Sequence, residues 1–250
     1  ITWNSMLSGY AQMADGVNIA ARMFNEMPEK DLISWNSLID GYVKHGRIED
    51  AKNLFDKMPS RDVVTWATMI DGYAKLGFVH QAKTLFDQMP QRDVVAYNSM
   101  MAGYVQNRYH MEALEMFNGM EKKSQLSPDE TTLVIVLSAI AQLGRLSKAM
   151  DMHLYIVEKQ FLLDGKLGVA LIDMYSKCGS IQQAMTVFEG IENKSIDHWN
   201  AMIGGLAVHG LGESAFNMLL QIERRSIKPD HITFVGVLNA CSHSGLVKEG

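Results

Sequence analysis

Apolar residues recur at helical spacing along this chain, in short stripes that a glycine or a proline ends. A first stripe follows the i, i+3, i+4, i+7 order of one helix face: Trp35, Leu38, Ile39 and Tyr42. Gly46 interrupts the pattern. A second stripe of the same kind follows: Ile48, Ala51, Leu54, Phe55 and Met58. Pro59 then prevents this second helix from continuing. The pattern predicts two helices joined by a tight turn.

The predicted hairpin occurs twice in succession, over residues 32–62 and 63–93. Each copy has 31 residues, and 16 aligned positions are identical. Self-similarity at a period of about 20–50 residues indicates a repeat array, in which each hairpin buries its apolar face against its neighbours. We therefore predict an all-α fold, a right-handed α-solenoid superhelix of tandem helix-turn-helix repeats.

Aligning the rest of the chain on these two copies divides it into eight repeats. The first has a truncated start and a one-residue insertion around positions 12–18. The predicted boundaries are 1–31, 32–62, 63–93, 94–129, 130–164, 165–195, 196–230 and a partial repeat at 231–250. Because the sequence begins and stops inside a repeat, we expect it to be a piece of a longer protein.

Particular residue types mark fixed places in the repeats. Glycine at the turn predicts a left-handed backbone there and recurs as Gly46, Gly77, Gly144, Gly179, Gly210 and Gly245. A small alanine in the second helix predicts close contact between helices and recurs as Ala51, Ala82, Ala113, Ala149, Ala184 and Ala215. Proline ends the second helix at Pro28, Pro59 and Pro90. Ser34 and Thr65, each just before an aromatic residue, are predicted to cap their first helices.

Composition excludes few classes of function. The net charge of −5 lacks the basic footprint that phosphate binding usually leaves, so an RNA-binding function must rest on local positions. Many of the 18 methionines fall at fixed repeat positions and are interpreted as core filler. Cys178 and Cys241 give no disulfide framework and suit a reducing compartment. No apolar run is long enough to span a membrane.

Helical hairpins of this length occur in tetratricopeptide-like protein-binding repeats and in RNA-reading repeats. The tetratricopeptide signature has about 34 residues, with Trp and then Leu-Gly in its first helix. This chain instead shows VVTWATMIDGYAKLG, ALIDMYSKCGSI and PDHITFVGVLNACSHSGLVKEG, with repeats of 31, 35 and 36 residues. These motifs resemble the pentatricopeptide repeat family of plant organelle RNA-binding proteins, over essentially the whole chain.

The resemblance is to the PLS subclass of that family, and within it to plastid editing factors of the chlororespiratory-reduction type. On this alignment the first three repeats are S-like. Repeats 94–129 and 196–230 are P-type, 130–164 is L-type, 165–195 is S-type, and 231–250 opens an L-type repeat.

The resemblance implies that each repeat reads one base of single-stranded RNA with its fifth and its last residue. The fifth residues are Asn4, Asn36, Ala67, Asn98 and Asn200. Their partners in the last position are Asp31, Asp62, Asp93, Asp129 and Asp230. An Asn amide offers a donor and an acceptor to a pyrimidine edge, and the resemblance implies uridine over cytidine for Asn with Asp. Ala67 has no amide, so its base is weakly specified.

Ordinary structural roles compete with these assignments. Asn near a helix start is often a capping or solvated residue, and Asp before a helix is favoured by the helix dipole. The resemblance makes the second residues base wedges, although they could equally be interface core: Ile1, Ile33, Val64 and Val95. Asp197, the second residue of the seventh repeat, is a poor wedge because it is an anion.

Lysines near the end of three first helices are candidate phosphate contacts: Lys44, Lys75 and Lys177. Their alternative role is a favourable interaction with the helix dipole. Two pairs fall outside the code that the resemblance implies, Val134 with Asp164 in the L-type repeat and Val169 with Ser195 in the S-type repeat. We expect these to be spacers or partner surfaces.

The sequence does not predict catalysis. A zinc deaminase needs H-x-E followed by P-C-x-x-C; His110-Met111-Glu112 matches the first half, and the second half is absent. His110 stands where other repeats have an ordinary helix-start residue. Cys241-Ser242-His243 lacks a second ligand pair. We expect no enzyme activity, no cofactor and no small-molecule substrate.

The resemblance predicts a sequence-specific single-stranded RNA-binding module for a plant organelle, favouring the chloroplast over the mitochondrion. Its target would be a pyrimidine-rich, uridine-leaning element upstream of a C-to-U editing site. Deamination would come from a further domain or from a recruited editing partner. The alternative is a helical scaffold that docks protein partners in organelle RNA processing or complex assembly.

Overall fold

The computed structural model describes residues 2–245, except for the side chain of Lys123. The chain divides into two compact parts, Ile1–Pro128 and Asp129–Gly250. Every regular element in the described residues is a helix, which confirms the predicted all-α repeat fold.

The first part contains eight helices: α1 (Trp3–Gln12), α2 (Val17–Glu26), α3 (Leu32–Lys44), α4 (Ile48–Lys57), α5 (Val63–Lys75), α6 (Val79–Gln88), α7 (Val94–Gln106) and α8 (His110–Ser124). The described residues of the second part contain seven: α9 (Glu130–Leu143), α10 (Leu146–Glu158), α11 (Lys166–Lys177), α12 (Ile181–Gly190), α13 (Ile196–Val208), α14 (Gly212–Arg224) and α15 (His231–Ser244).

Within each part, odd-numbered helices form one row and even-numbered helices a second. In the first part α1, α3, α5 and α7 pack side by side, and in the second part α9, α11, α13 and α15 do the same. The even-numbered helices α2, α4, α6, α10, α12 and α14 each pack against the helix before them and the helix after them. Each repeat therefore contacts its neighbours largely through its first helix.

The small residues predicted at helix contacts lie in the core, as close packing there requires. The recurring alanines of the second helices are fully buried: Ala51, Ala82, Ala113, Ala149, Ala184 and Ala215. Beside them, a phenylalanine of one repeat packs edge-on against the aromatic residue of the next. Phe24 and Trp35 lie 4.9 Å apart between ring centroids, and Phe188 and Trp199 lie 4.8 Å apart. Edge-to-face packing suits the quadrupole of the rings and fixes the spacing of consecutive repeats.

The turns inside the hairpins also follow the prediction. All six turn glycines have φ between 63° and 84°, in the left-handed region that glycine enters without a Cβ penalty. The fourth repeat differs because Arg108 takes this conformation, with φ 66°. In the first repeat four residues, rather than three, separate α1 from α2, as the predicted insertion requires.

Repeat length is set by the second helix. The 31-residue repeats have second helices of 10 residues, as in α4, α6 and α12. In the 35- and 36-residue repeats α8 has 15 residues, and α10 and α14 have 13 each. In the short repeats the helix stops at a methionine or isoleucine with an extended backbone, before proline at Pro59 and Pro90.

Candidate nucleic-acid interface

The fifth-position asparagine of a repeat meets the last-position aspartate of the same repeat, at the N-terminal end of the next repeat's first helix. Asn36 Nδ2 donates to the two carboxylate oxygens of Asp62 at 3.2 and 3.4 Å. Asn4 and Asn200 make the same contact, at 2.9 Å to Asp31 and at 3.1 and 3.3 Å to Asp230. The structure therefore brings together three of the predicted fifth- and last-position pairs.

The same aspartates cap the helices that follow them. Each has an extended backbone, and its carboxylate accepts the N–H of the third helical residue at 2.7–2.9 Å, in Asp31, Asp62, Asp93, Asp129 and Asp230. The prediction that Ser34 and Thr65 are the caps is wrong. The helices begin one turn earlier, at Leu32 and Val63, so the two hydroxyl residues occupy the third helical position.

Thr65 and Thr233 belong to the site, and the sequence analysis missed them. The Thr65 hydroxyl lies 2.7 Å from both Asn36 Oδ1 and Asp62 Oδ1 and shares its one hydrogen between them, and it accepts the N–H of Asp62 at 3.3 Å. Thr233 repeats this arrangement, at 2.7 Å from Asn200 Oδ1 and at 3.2 Å from the N–H of Asp230. Each amide is thus held with its oxygen toward threonine and its nitrogen toward aspartate. The recurring D-x-x-T spacing, a capping-box signature, was the available signal.

The first repeat has a looser version of this cluster. The Ser34 hydroxyl donates to the main-chain oxygen of Asp31 at 2.8 Å and not to the asparagine. Asn4 Oδ1 is buried without a hydrogen-bond partner. The amide of Asn4 is therefore held at its nitrogen, whereas the amide of Asn36 is held at both ends.

The two remaining predicted pairs involve one residue without an amide and one residue in each part of the chain. Ala67 is nearly buried on α5, and Asp93 caps α7 through the N–H of Ala96. Asn98 lies nearly buried on α7 of the first part, whereas Asp129 caps α9 of the second part.

Hydrogen bonds keep three of the aspartates in the charged form. The Ser34 N–H and the Asn4 amide hold the pKa of Asp31 below its ordinary value, and the Thr233 N–H does so for Asp230. Partial burial raises the pKa of Asp62, but the bonds from Thr65 and Asn36 outweigh it, so this pKa is also lowered. At neutral pH these carboxylates are acceptors for the amides beside them.

The second-position residues extend into solvent beside the clusters. Ile33, Val64 and Val95 are 62%, 57% and 52% exposed, so the alternative reading of these three as interface core is wrong. Ile232, at the same place in the eighth repeat, is also exposed. Ile1 lies outside the described residues. Exposed aliphatic side chains in this row suit contact with flat, apolar base faces.

In the second part these positions line one groove with a volume of about 810 Å³. It is lined by five fifth- or last-position residues of three repeats and by three second-position residues: Val134, Asp164, Val169, Ser195, Asn200, Lys166, Asp197 and Ile232. Val134 with Asp164 and Val169 with Ser195, which we expected to be spacers or partner surfaces, therefore line the same groove as Asn200. Asp164, Asp173 and Asp197 also place carboxylates along it, a charge that opposes phosphate.

The candidate phosphate-binding lysines pair with aspartates one turn earlier. Lys44, Lys75 and Lys177 lie 2.9, 2.6 and 2.7 Å from Asp40, Asp71 and Asp173. The pairs are substantially exposed, and such pairs contribute about 0.3–0.5 kcal/mol. A phosphate could therefore compete for the lysines at little cost.

The half-motifs for metal binding do not form a centre. His110 is the first residue of α8, and Cys241 is buried in α15, where the neighbouring His243 Nδ1 lies 3.3 Å from the Ala207 oxygen. Among residues 2–245 no three His, Cys, Asp or Glu side chains are grouped to hold a metal ion. No helix in that range has the length and apolar character needed to cross a membrane.

Comparison of the sequence with family profiles gives matches along most of the chain. The profile described as the PPR repeat family matches residues 92–142 and 194–243. Profiles described as the PPR repeat match residues 1–32, 33–63, 60–90 and 169–196.

Similar proteins are found in Arabidopsis thaliana. A chloroplastic pentatricopeptide repeat-containing protein is 86% identical over 250 residues, which are 100% of this chain and 41% of that protein. Another pentatricopeptide repeat-containing protein is 41% identical over 253 positions, again covering 100% of this chain and 41% of the relative. The chain thus spans about two fifths of the length of these relatives.

Solved structures share the fold. The pentatricopeptide repeat protein PPR10 from maize superposes with a TM-score of 0.69 at 23% identity, covering 98% of this chain and 37% of that one. PPR10 in complex with an 18-nt psaJ RNA element gives a TM-score of 0.65 at 18% identity, covering 98% and 47%.

Proposed function

The chain belongs to the pentatricopeptide repeat family, and from that premise we propose that it binds single-stranded RNA sequence-specifically, one base per repeat. The observation that carries the proposal is the recurring contact between the fifth-position Asn and the last-position Asp of a repeat, next to an exposed aliphatic residue. The RNA complex of a solved protein with this fold supports it.

The fixed amide of Asn36 has one hydrogen-bond donor and one acceptor left for a ligand. Its Nδ2 has two hydrogens, of which Asp62 takes one, and its Oδ1 has two lone pairs, of which Thr65 takes one. One donor and one acceptor remain side by side. A pyrimidine presents the complement, as N3–H next to a carbonyl oxygen in uridine or as N3 next to the amino group in cytidine. This geometry supports a pyrimidine contact in the second and seventh repeats, where Asn200 has the same partners, and the family code favours uridine.

The proposed target is a pyrimidine-rich element upstream of a C-to-U editing site in an organelle transcript. The chloroplast is the favoured compartment because the relative with 86% identity is named chloroplastic. Deamination would be performed outside this segment, by a further domain or by a recruited deaminase or other editing factor. The lysine pairs at Lys44, Lys75 and Lys177 would exchange their aspartates for phosphates.

Fluorescence anisotropy with labelled RNA tests the proposal. The purified chain should bind a pyrimidine-rich single strand more tightly than a purine-rich strand of equal length, at one fixed moderate salt concentration. Asn36→Thr should move the preference at one base from uridine toward guanine, as the family code implies. An absence of binding to any single strand would contradict the function, whereas an unchanged preference in Asn36→Thr would contradict the base assignment alone.

A scaffold function has its own supporting observation. One face of α10 presents apolar side chains to solvent: Leu146, Met150, Leu154 and Val157. In the second repeat the residues that correspond to Met150 and Leu154 are Lys52 and Asp56, which form an ion pair. A protein partner that covers this face is the second candidate function. Retention of partner binding after the reading asparagines are replaced would favour it.

A further inference from the structure

A second groove in the Asp129–Gly250 part lies between α12 and α14, in the row of second helices, and we call it the outer groove. Its volume is about 440 Å³. Asn200 lines the groove of the proposed reading positions, whereas Trp199, one residue earlier on α13, lines the outer groove. The two grooves therefore lie on different faces of α13. The lining of the outer groove includes Met185, Phe188, Lys194, Trp199, Gln221 and Arg225.

We propose that the outer groove binds a carboxylate from an acidic segment of a protein partner. Trp199 and Arg225 would donate hydrogen bonds to that carboxylate, and Lys194 would add a second positive charge beside it. Binding at the outer groove does not depend on RNA binding at the reading positions.

The indole N–H of Trp199 is a hydrogen-bond donor without an acceptor. Trp199 is 1% exposed, and its Nε1 is buried with no hydrogen-bond partner among the described residues. Tyr97, the corresponding residue of the fourth repeat, has its hydroxyl 2.6 Å from Ser124 Oγ. A buried N–H that makes no hydrogen bond has lost its contact with water and gained nothing in return. A ligand oxygen beside Trp199 Nε1 would restore the missing bond.

The length of α14 distinguishes this tryptophan from its counterparts. Trp35 and Trp66 are only half-buried, and the second helices of their repeats, α4 and α6, have 10 residues each. The 13 residues of α14 end just before Arg225, whose guanidinium carbon lies 5.4 Å from the centroid of the Trp199 ring. The additional turn of α14 therefore places a cation over the indole.

The charges of the outer groove favour an anion. Two cations, Lys194 and Arg225, line it together with one carboxylate, Glu189. Lys194 is held by the main-chain oxygens of Glu189 and Ile191 at the end of α12. Burial, and then the charge of Arg225, lower the pKa of Lys194 below its ordinary value, which shows that the two cations repel each other. A carboxylate between them would relieve this repulsion.

Arg225 is the cation that is free to take a ligand. It is exposed, and within residues 2–245 its guanidinium forms no ion pair. Its contact with the Trp199 ring is a cation–π interaction, which is weak at an exposed site. The planar fork of a guanidinium matches the two oxygens of a carboxylate. Arg225 can therefore turn toward a ligand at little cost.

The other lining residues favour a peptide over a free anion. Asn217 and Gln221 of α14 are exposed, and their amides can bond to a peptide main chain. Met185 and Met218 add apolar surface, and methionine adapts to side chains of irregular shape. The occupant is therefore an acidic segment that also carries apolar side chains.

Titration with a labelled peptide tests this assignment. The probe is a short fluorescein-labelled peptide in which glutamate alternates with leucine, and the control peptide has glutamine in place of glutamate. The chain should bind the glutamate peptide more tightly at moderate salt. Arg225→Gln should weaken this binding about tenfold, the loss expected for a hydrogen bond to a charged group.

Arg224→Gln is the matched control variant. Arg224 is also exposed and directly precedes Arg225, but it lies at the end of α14 outside the outer groove. Its replacement removes the same charge and should change the affinity by no more than about twofold, because salt screens a charge that makes no direct contact. Both variants should melt at the same temperature as wild type.

Proton–nitrogen NMR gives a readout at the outer groove itself. The chain has four tryptophans, and Trp199→Phe identifies the indole N–H signal of Trp199. The glutamate peptide should move that signal and leave those of Trp35 and Trp66 in place. Trp199→Phe keeps an aromatic ring but removes the N–H, so it should weaken peptide binding about threefold to tenfold.

Several outcomes would overturn the assignment. Failure to bind the glutamate peptide, equal affinity for both peptides, or equal losses in the two arginine variants would each mean that no carboxylate is held there. N-acetylglutamate that binds as tightly as the peptide would identify a small acid as the ligand. A single-stranded RNA that moves the Trp199 signal, in a way that Arg225→Gln abolishes, would assign the outer groove to phosphate.

Discussion

The second and third repeats have the same length and are identical at 16 aligned positions, yet they differ at the Asn–Asp cluster. In the second, the Asn36 amide is held between Asp62 and Thr65. In the third, Ala67 and Ala96 occupy the corresponding places, and Asp93 caps α7 through the Ala96 N–H at 2.9 Å. The third repeat therefore has the capping aspartate, Asp93, although it has no asparagine amide for that aspartate to orient.

The difference separates two roles of one residue. Capping explains why aspartate ends both repeats, because the first N–H groups of a helix need acceptors. Under the proposed function, orientation of a base-reading amide needs asparagine and threonine as well. We therefore expect the constant aspartates to carry little information about the RNA and the variable positions to carry most of it.

The largest expected effect is loss of base selection in the second repeat. Asn36→Ala removes both free hydrogen-bonding groups, so discrimination for uridine at the matching base should fall about tenfold, as expected for about one to two net hydrogen bonds. Anisotropy with the four base variants measures it. The base opposite the third repeat is the internal control, since Ala67 already has no amide. Persistent uridine selection would mean that Asn36 does not read the base.

The reverse change should build a reader in the third repeat. Ala67→Asn together with Ala96→Thr recreates the amide and its hydroxyl partner beside Asp93, and should introduce a uridine preference of about threefold to fivefold. Thr65, the counterpart of Ala96, is itself fully buried in α5, so the fold accommodates threonine at this place. Ala67→Asn alone should give a weaker preference. If the double variant melts normally and shows no preference, the cluster is insufficient for reading.

Much of this comparison was visible in the sequence. The same local geometry recurs in every repeat, and it predicts the helical spacing, the turn glycines and the buried alanines such as Ala51. The caps were misassigned because Asp31 and Ser34 are both good N-cap residues, three positions apart, and the apolar pattern does not define the first helical turn. The exposure of Ile33 could not be predicted because an aliphatic residue suits a core and a base face equally.

The sequence pattern did not predict which side chains of neighbouring repeats contact each other. The threonine that orients Asn36 lies 29 residues away, in the next repeat. His198 takes the place of that threonine in the seventh repeat, and its Nε2 lies 3.3 Å from the carbonyl oxygen of Leu163, 35 residues earlier. Alignment of each repeat by itself does not show which side chains meet across the boundary.

Removal of the aspartates should separate capping from orientation. Asp62→Ala and Asp93→Ala should each lower the free energy of unfolding by about 1 kcal/mol, the usual loss for an N-cap, as measured by denaturant melts. In RNA titrations Asp62→Ala should also weaken uridine selection, because the Asn36 amide loses its acceptor, whereas Asp93→Ala should leave selection unchanged. Equal effects of both variants on selection would contradict the division of roles.

The smallest effect concerns the first repeat, where Ser34 leaves Asn4 Oδ1 without a partner. Ser34→Thr adds a methyl group that restricts χ1 and favours the rotamer in which Thr65 donates to Asn36. We expect uridine selection at that base to rise by about twofold with little change in stability. Thr65→Ser is the matched reverse variant and should lower selection in the second repeat by a similar factor. If both variants matched wild type in anisotropy titrations, the difference between the two hydroxyl residues would have no part in orienting the amide.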